Sequence, residues 1–132
     1  MTKDEFSQCK VLVVDDDEFS REVLHSVLTN IGCTRIFETH DSETAYALAR
    51  QHKPDFVLLD IYMPQVDGWA LLDQLRKILP SAVVIMVTGS HLPDDFEKSM
   101  NQRVDGFCIK PVLPDIMRNT LRKARLRRQS VR

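Results

Sequence analysis

Short apolar runs alternate along the chain with longer stretches in which apolar residues recur every third or fourth position. The runs cover 11–14, 35–38, 56–59, 83–87 and 107–109, the second being the weakest. Strands buried on both faces read as such uninterrupted runs, so the pattern predicts a parallel sheet covered on each side by helices. Between the first two runs, Phe19, Val23, Val27 and Ile31 repeat at four-residue spacing beside Leu24 and Leu28, and Gly32 supplies a stop. This predicts a first helix with a broad buried face that includes Phe19. Residues 41–52 read as a second helix and 68–79 as a third, with Leu71, Leu75 and Ile78 inward. A fourth is expected over 93–102, where the apolar stripe is thin, Phe96 and Met100, and predicts weak anchoring and movement. The fifth starts near Pro114 and puts Leu113, Met117, Leu121 and Ala124 on one face. Its packing is expected to end near Ala124, leaving Leu126 and the surrounding arginines projecting from the body.

A length of 132 residues, 43% hydrophobic and 28% charged, fits one globular domain. No apolar run nears the ~20 residues of a membrane helix. The amino terminus, MTKDEFSQCK, lacks the basic start and apolar stretch of a secretory signal, so a cytoplasmic location is expected, with no membrane partner. Cys9, Cys33 and Cys108 are an odd set without C-x-x-C spacing and read as small buried or half-buried thiols. His25, His40, His52 and His91 share no metal spacing, and Trp69 is expected to pack beside the third helix. A net charge of -1 hides an asymmetry: residues 1–112 carry 11 Lys/Arg against 18 Asp/Glu, and 113–132 carry 7 against 1. The domain is therefore read as 1–125, followed at 126–132 by a basic helix end or a linker toward an effector domain. So short a basic segment, without aromatic residues or a recognised motif, does not point to nucleic-acid binding.

In open sheets built from βα units, ligands bind beyond the carboxyl ends of the strands. That edge receives Asp15 and Asp16 after the first strand, Asp60 after the third, Thr88 after the fourth and Lys110 after the fifth. Singly, each has an ordinary reading as a helix cap, a turn former or a solvated lysine. Together they crowd carboxylates into one cleft, which is tolerable if a cation sits among them, and Mg²⁺ suits an all-oxygen site. A carboxylate can attack a phosphoryl donor to give an aspartyl phosphate, with Lys110 and the Thr88 hydroxyl donating to phosphoryl oxygens.

The segments VLVVDDD, PDFVLLDIYMPQVDGW, VIMVTGS and DGFCIKPV, in that order over roughly residues 9–125, resemble the four landmark segments of two-component response regulator receiver domains, chemotaxis regulators among them. The resemblance implies an α/β class, flavodoxin-like (βα)5 sandwich with a five-stranded parallel sheet of order 2-1-3-4-5. It implies Asp60 as phosphoacceptor, Asp16 as a direct metal ligand, Asp15 as one acting through water, and the Tyr62 backbone carbonyl completing the protein's share of the Mg²⁺ shell. Val14 closes the strand, which assigns these roles to 15 and 16 and leaves Asp17 as a first-turn acid. Thr88 and Phe107 match the switch pair, with Phe107 in place of the commoner Tyr; the alternative is that Phe107 is core. Lys110-Pro111 matches the family's cis peptide. Tyr62 and Ser90 border the path of the hydrolytic water, and a covering Tyr62 ring would lengthen the phosphoprotein's life; alternatively that ring points to solvent.

The function implied is a switch, fed by a histidine kinase or phosphotransfer protein, that alters the face of the fourth helix, fifth strand and fifth helix and then autodephosphorylates. Its implied outputs are a downstream protein, a covalently linked effector domain or a phosphorylation-dependent homodimer. It is not expected to be an enzyme toward other substrates. Two alternatives stand beside it. One is an aspartyl-phosphate phosphohydrolase, although Asp60-Ile61-Tyr62 lacks the second acid of the D-x-D that haloacid-dehalogenase-type phosphatases use. The other is a phosphorylation-independent binding module, although every required side chain is present.

Overall fold

The computed structural model describes residues 5–64, 66–89 and 104–130. The fourth helix expected over 93–102, and Ser90, lie outside them. In chain order the elements are β1 (Lys10–Val14), α1 (Glu18–Asn30), β2 (Arg35–Thr39), α2 (Ser42–His52), β3 (Phe56–Leu59), the two-residue strands β4 (Tyr62–Met63) and β5 (Val66–Asp67), α3 (Gly68–Ile78), β6 (Val83–Thr88), β7 (Gly106–Ile109) and a C-terminal helix (Pro114–Ser130). The five longer strands form one sheet in the order β2-β1-β3-β6-β7, every pair parallel, while β4 and β5 make a separate antiparallel pair. Numbering only the five sheet strands gives the expected 2-1-3-4-5.

The pleat sends alternate residues to opposite faces and so makes two cores. Val11, Val13, Phe56, Leu58 and Ile85 meet Leu24, Val27 and Leu28 of α1 and Met117, Leu121 and Ala124 of the C-terminal helix. Leu12, Val14, Val57, Leu59, Val84 and Met86 meet Ala45 and Ala49 of α2 and Leu71, Leu72 and Leu75 of α3. Ile78 and Trp69 pack against this second core half-buried. Three aspartates in extended conformation start the helices: Asp17, Asp41 and Asp67 accept from the backbone N–H groups of Ser20, Thr44 and Ala70. Gly32, at φ 107°, provides the left-handed turn that follows α1. Cys33 and Cys108 are buried and Cys9 half-buried. Among the described residues no helix is long and apolar enough to cross a membrane.

Four positions depart from the apolar pattern, Phe107 and Ile109 of β7 being two of them. Phe19 is exposed, because it sits in the first turn of α1 level with the strand ends, where it lines a shallow cleft with Val23, Lys110 and Pro111. Leu113 is also exposed, one residue before the C-terminal helix begins. That helix also stays packed beyond Ala124. The Arg125 guanidinium lies 5.3 and 5.0 Å from the ring centroids of Phe6 and Phe56, and Arg128 Nε ion-pairs with Asp105 at 3.2 Å. Guanidinium groups and their stems cover aromatic faces and pair with a carboxylate, so the contact continues where the apolar stripe stops. Leu126 is exposed, as expected.

Candidate functional site

Asp15, Asp60 and Lys110 each sit one residue past a strand and remain tied to its neighbour. The Asp15 N–H donates to Thr39 O (3.1 Å), that of Asp60 to Val14 O (3.0 Å) and that of Lys110 to Thr88 O (2.8 Å). Val14 is in register with Leu59, and Thr88 with Ile109, so the parallel ladder itself delivers these residues to one edge. The Lys110-Pro111 peptide is cis, as the sequence motif implied.

There the Lys110 ammonium lies 2.7 Å from Asp15 Oδ2 and 3.3 Å from Asp60 Oδ2. The other oxygen of each acid is held by backbone: Asp17 N donates to Asp15 Oδ1 and Tyr62 N to Asp60 Oδ1, both at 3.0 Å. Asp15 is 1% exposed and Asp60 8%, whereas Asp16 stands open to solvent. Carboxylate oxygens of all three fall within 4.8 Å of one another. Burial pushes the Asp60 carboxyl above its ordinary value; the Lys110 charge and the Tyr62 N–H oppose this, and the Asp15 charge adds to it. Burial also works against the Lys110 ammonium, but the hydrogen bond and charge of Asp15, followed by those of Asp60, hold it above its ordinary value. One lysine thus pairs with two of the three clustered acids. An all-oxygen donor set with two buried members and one open side fits a hard divalent cation such as Mg²⁺.

Thr88 ends β6 and is 2% exposed. Phe107 pairs in register with Met86, and Ile109 with Thr88, so Thr88 and Phe107 share a face of the sheet. Phe107 is 36% exposed, on the face of β7 opposite to Gly106 and Cys108. Tyr62 starts β4 and is 52% exposed; its backbone N–H is what reaches Asp60.

Three features near the site were absent from the sequence reading. A Cβ on Gly68 would fall 2.5 Å from the Ile61 carbonyl oxygen and 2.6 Å from its Cα, so only glycine lets α3 start against the backbone that follows Asp60. A glycine opening an amphipathic helix, right after a capping Asp, was the available signal. Arg21 reaches back from α1 to donate from Nη1 to the Asp15 carbonyl at 2.6 Å. The side chain of Asp67, which caps α3, belongs to the same tight junction.

A family profile described as response regulator receiver domain matches residues 11–122. The chain belongs to that family. This receiver domain is 28% identical over 123 residues to the probable C4-dicarboxylate response regulator DctR of Bacillus subtilis, covering 92% of this chain and 54% of that protein. It is 26% identical over 114 residues to the chemotaxis protein CheY of the same species, covering 86% and 95% of the two. Among solved structures it is similar to the REC domain of AraT from Geobacillus stearothermophilus, with TM-score 0.75, 28% identity, and 93% and 97% of the two chains covered. It spans about half the length of DctR and nearly all of CheY.

Proposed function

We propose that this receiver domain is a phosphorylation-dependent switch that takes a phosphoryl group onto Asp60 from the histidine of a kinase or phosphotransfer protein. The observation that carries this reading is Lys110, whose ammonium bridges Asp15 and Asp60 at the shared carboxyl edge of the sheet. A buried carboxylate nucleophile, a second acid and a fixed cation then lie within bonding distance of one phosphoryl group. In this reading Asp16, Asp60 and the Tyr62 carbonyl hold Mg²⁺ directly and Asp15 through water. The ion supplies neutralisation of charge on the transferred group.

One Asp60 oxygen bonds to phosphorus as the bond from phosphorus to the donor imidazole nitrogen breaks. The imidazole leaves with that electron pair, neutral because its other nitrogen carries a proton. Lys110 and the Thr88 hydroxyl donate to phosphoryl oxygens. Thr88 moves toward the phosphoryl group and Phe107, on the same face, follows it, altering the surface of β7 and the C-terminal helix. In hydrolysis a water oxygen attacks phosphorus, the bond to Asp60 oxygen breaks, and inorganic phosphate leaves. The altered surface is read by a downstream protein, a covalently linked effector domain or a second copy of the chain.

Intact mass after incubation with acetyl phosphate tests this. One phosphoryl group per chain is expected with Mg²⁺, little without it, and none in Asp60→Asn. Quantitative labelling of that variant would remove Asp60 from its role, and sustained turnover of p-nitrophenyl phosphate would favour the phosphohydrolase.

A further inference from the structure

Of the three clustered acids, Asp16 is the exposed one, and among the described residues its carboxylate accepts no hydrogen bond. Its direction is therefore set by the backbone beneath it. The peptide plane between Asp15 and Asp16 is rigid, so whatever fixes the Asp15 carbonyl also fixes where the Asp16 Cα departs. That carbonyl accepts from Arg21 Nη1 at 2.6 Å, from the second turn of α1. The Asp15 N–H is held by Thr39 O, and its carboxylate by Lys110 and by Asp17 N, which ties the peptide after Asp16. Arg21 ties the peptide before Asp16.

We infer that Arg21 is a positioning residue for Asp16, orienting that carboxylate toward Asp60 and so favouring divalent cation binding. The inference rests on the Mg²⁺ site proposed above. Two effects of Arg21 on that site have opposite signs. Its positive charge beside the acids disfavours a second cation, whereas its hydrogen bond to the turn preorganises a ligand. Removing the side chain separates them: Coulomb repulsion alone predicts tighter Mg²⁺ binding, and positioning predicts weaker binding.

Calorimetric titration of the chain with Mg²⁺ reads the sign, using wild type, Arg21→Met, which keeps the stem but loses charge and donors, and Arg21→Lys, which keeps a charge and a donor. The expected result is saturable binding by wild type, affinity about tenfold weaker in Arg21→Met, the size of effect usual for groups that orient metal ligands, and recovery of most of that loss in Arg21→Lys. In the metal-free proteins, backbone amide resonances of residues 15–17 should shift in Arg21→Met. Affinity unchanged or tighter in Arg21→Met, or unmoved amide resonances, would overturn the inference while leaving the metal site standing. Failure of the wild type to bind Mg²⁺ would overturn the site itself and this inference with it.

Discussion

Asp16 and Asp17 adjoin in sequence but face different groups: Asp17 Oδ2 accepts from Ser20 N at 2.9 Å, while Asp16 clusters with Asp15 and Asp60. Asp17→Ala should therefore cost about 1 kcal/mol of stability through the lost cap, with little change in Mg²⁺ affinity. Asp16→Ala should weaken Mg²⁺ binding, and in metal-free buffer it should stabilise the fold, since one of three mutually repelling carboxylates is gone. Urea midpoints and metal titrations on both variants check this, and equal losses of metal affinity would mean that the roles run one residue off. For Asp60 the sign follows from its raised pKa. The folded protein keeps the proton to higher pH than the unfolded chain, so stability attributable to this group is full below about 3.8 and lost as pH rises through the folded value. Metal-free Asp60→Asn, which cannot ionise, should be more stable than its parent at pH 7, with the advantage vanishing in acid; an advantage that persists unchanged at low pH would assign it to something other than ionisation. Tyr62→Asn tests the covering role of the ring. If uncovering lowers the hydrolytic barrier by about 1.4 kcal/mol, phosphate release speeds roughly tenfold, and an unchanged rate would mean that the site uses only the backbone of residue 62. These acids were legible because each follows an apolar run, but whether Tyr62 faces the site was not, since a two-residue strand has no periodicity to read.

The C-terminal helix was read through its apolar stripe, and the stripe ends where arginines take over. Hydropathy counts Arg125 and Arg128 as solvated, yet one lies over Phe6 and Phe56 and the other meets Asp105. Asp105 was missed for a related reason: a single acid before a short strand looks like a loop residue. Here it is buried, its Oδ2 accepting from Val84 N at 2.9 Å and lying 3.3 Å from Arg76 Nη2, so that it joins α3, β6, β7 and the C-terminal helix. Asp105→Ala should lower stability by about 3 kcal/mol, because the Val84 N–H loses its side-chain partner and two partly buried guanidinium groups lose their counter-charge. Arg128→Ala should cost less, as Arg76 still neutralises the acid. Urea denaturation of both variants is the check, and equal losses would mean that Val84 and Arg76 find other partners. Phe19 shows the opposite error, in which a regular spacing was extended one turn beyond the sheet that would have buried it.

At the scale of the whole molecule, residues 15, 60 and 110 come together because each ends a strand of one parallel sheet, and parallel strands share their carboxyl edge. That much was legible from five apolar runs and the residues after them. The bridging of Asp15 and Asp60 by one ammonium was not, because it depends on how the side chains turn at that edge. The function proposed for this edge is to carry a phosphoryl group on Asp60. Borohydride reduces an aspartyl phosphate to homoserine, so trapping the acetyl phosphate-treated protein and sequencing its peptides by mass spectrometry locates the group directly. Homoserine is expected at position 60, formed when donor and Mg²⁺ are both present. Homoserine at Asp15, Asp16 or another carboxylate, with position 60 unchanged, would contradict it.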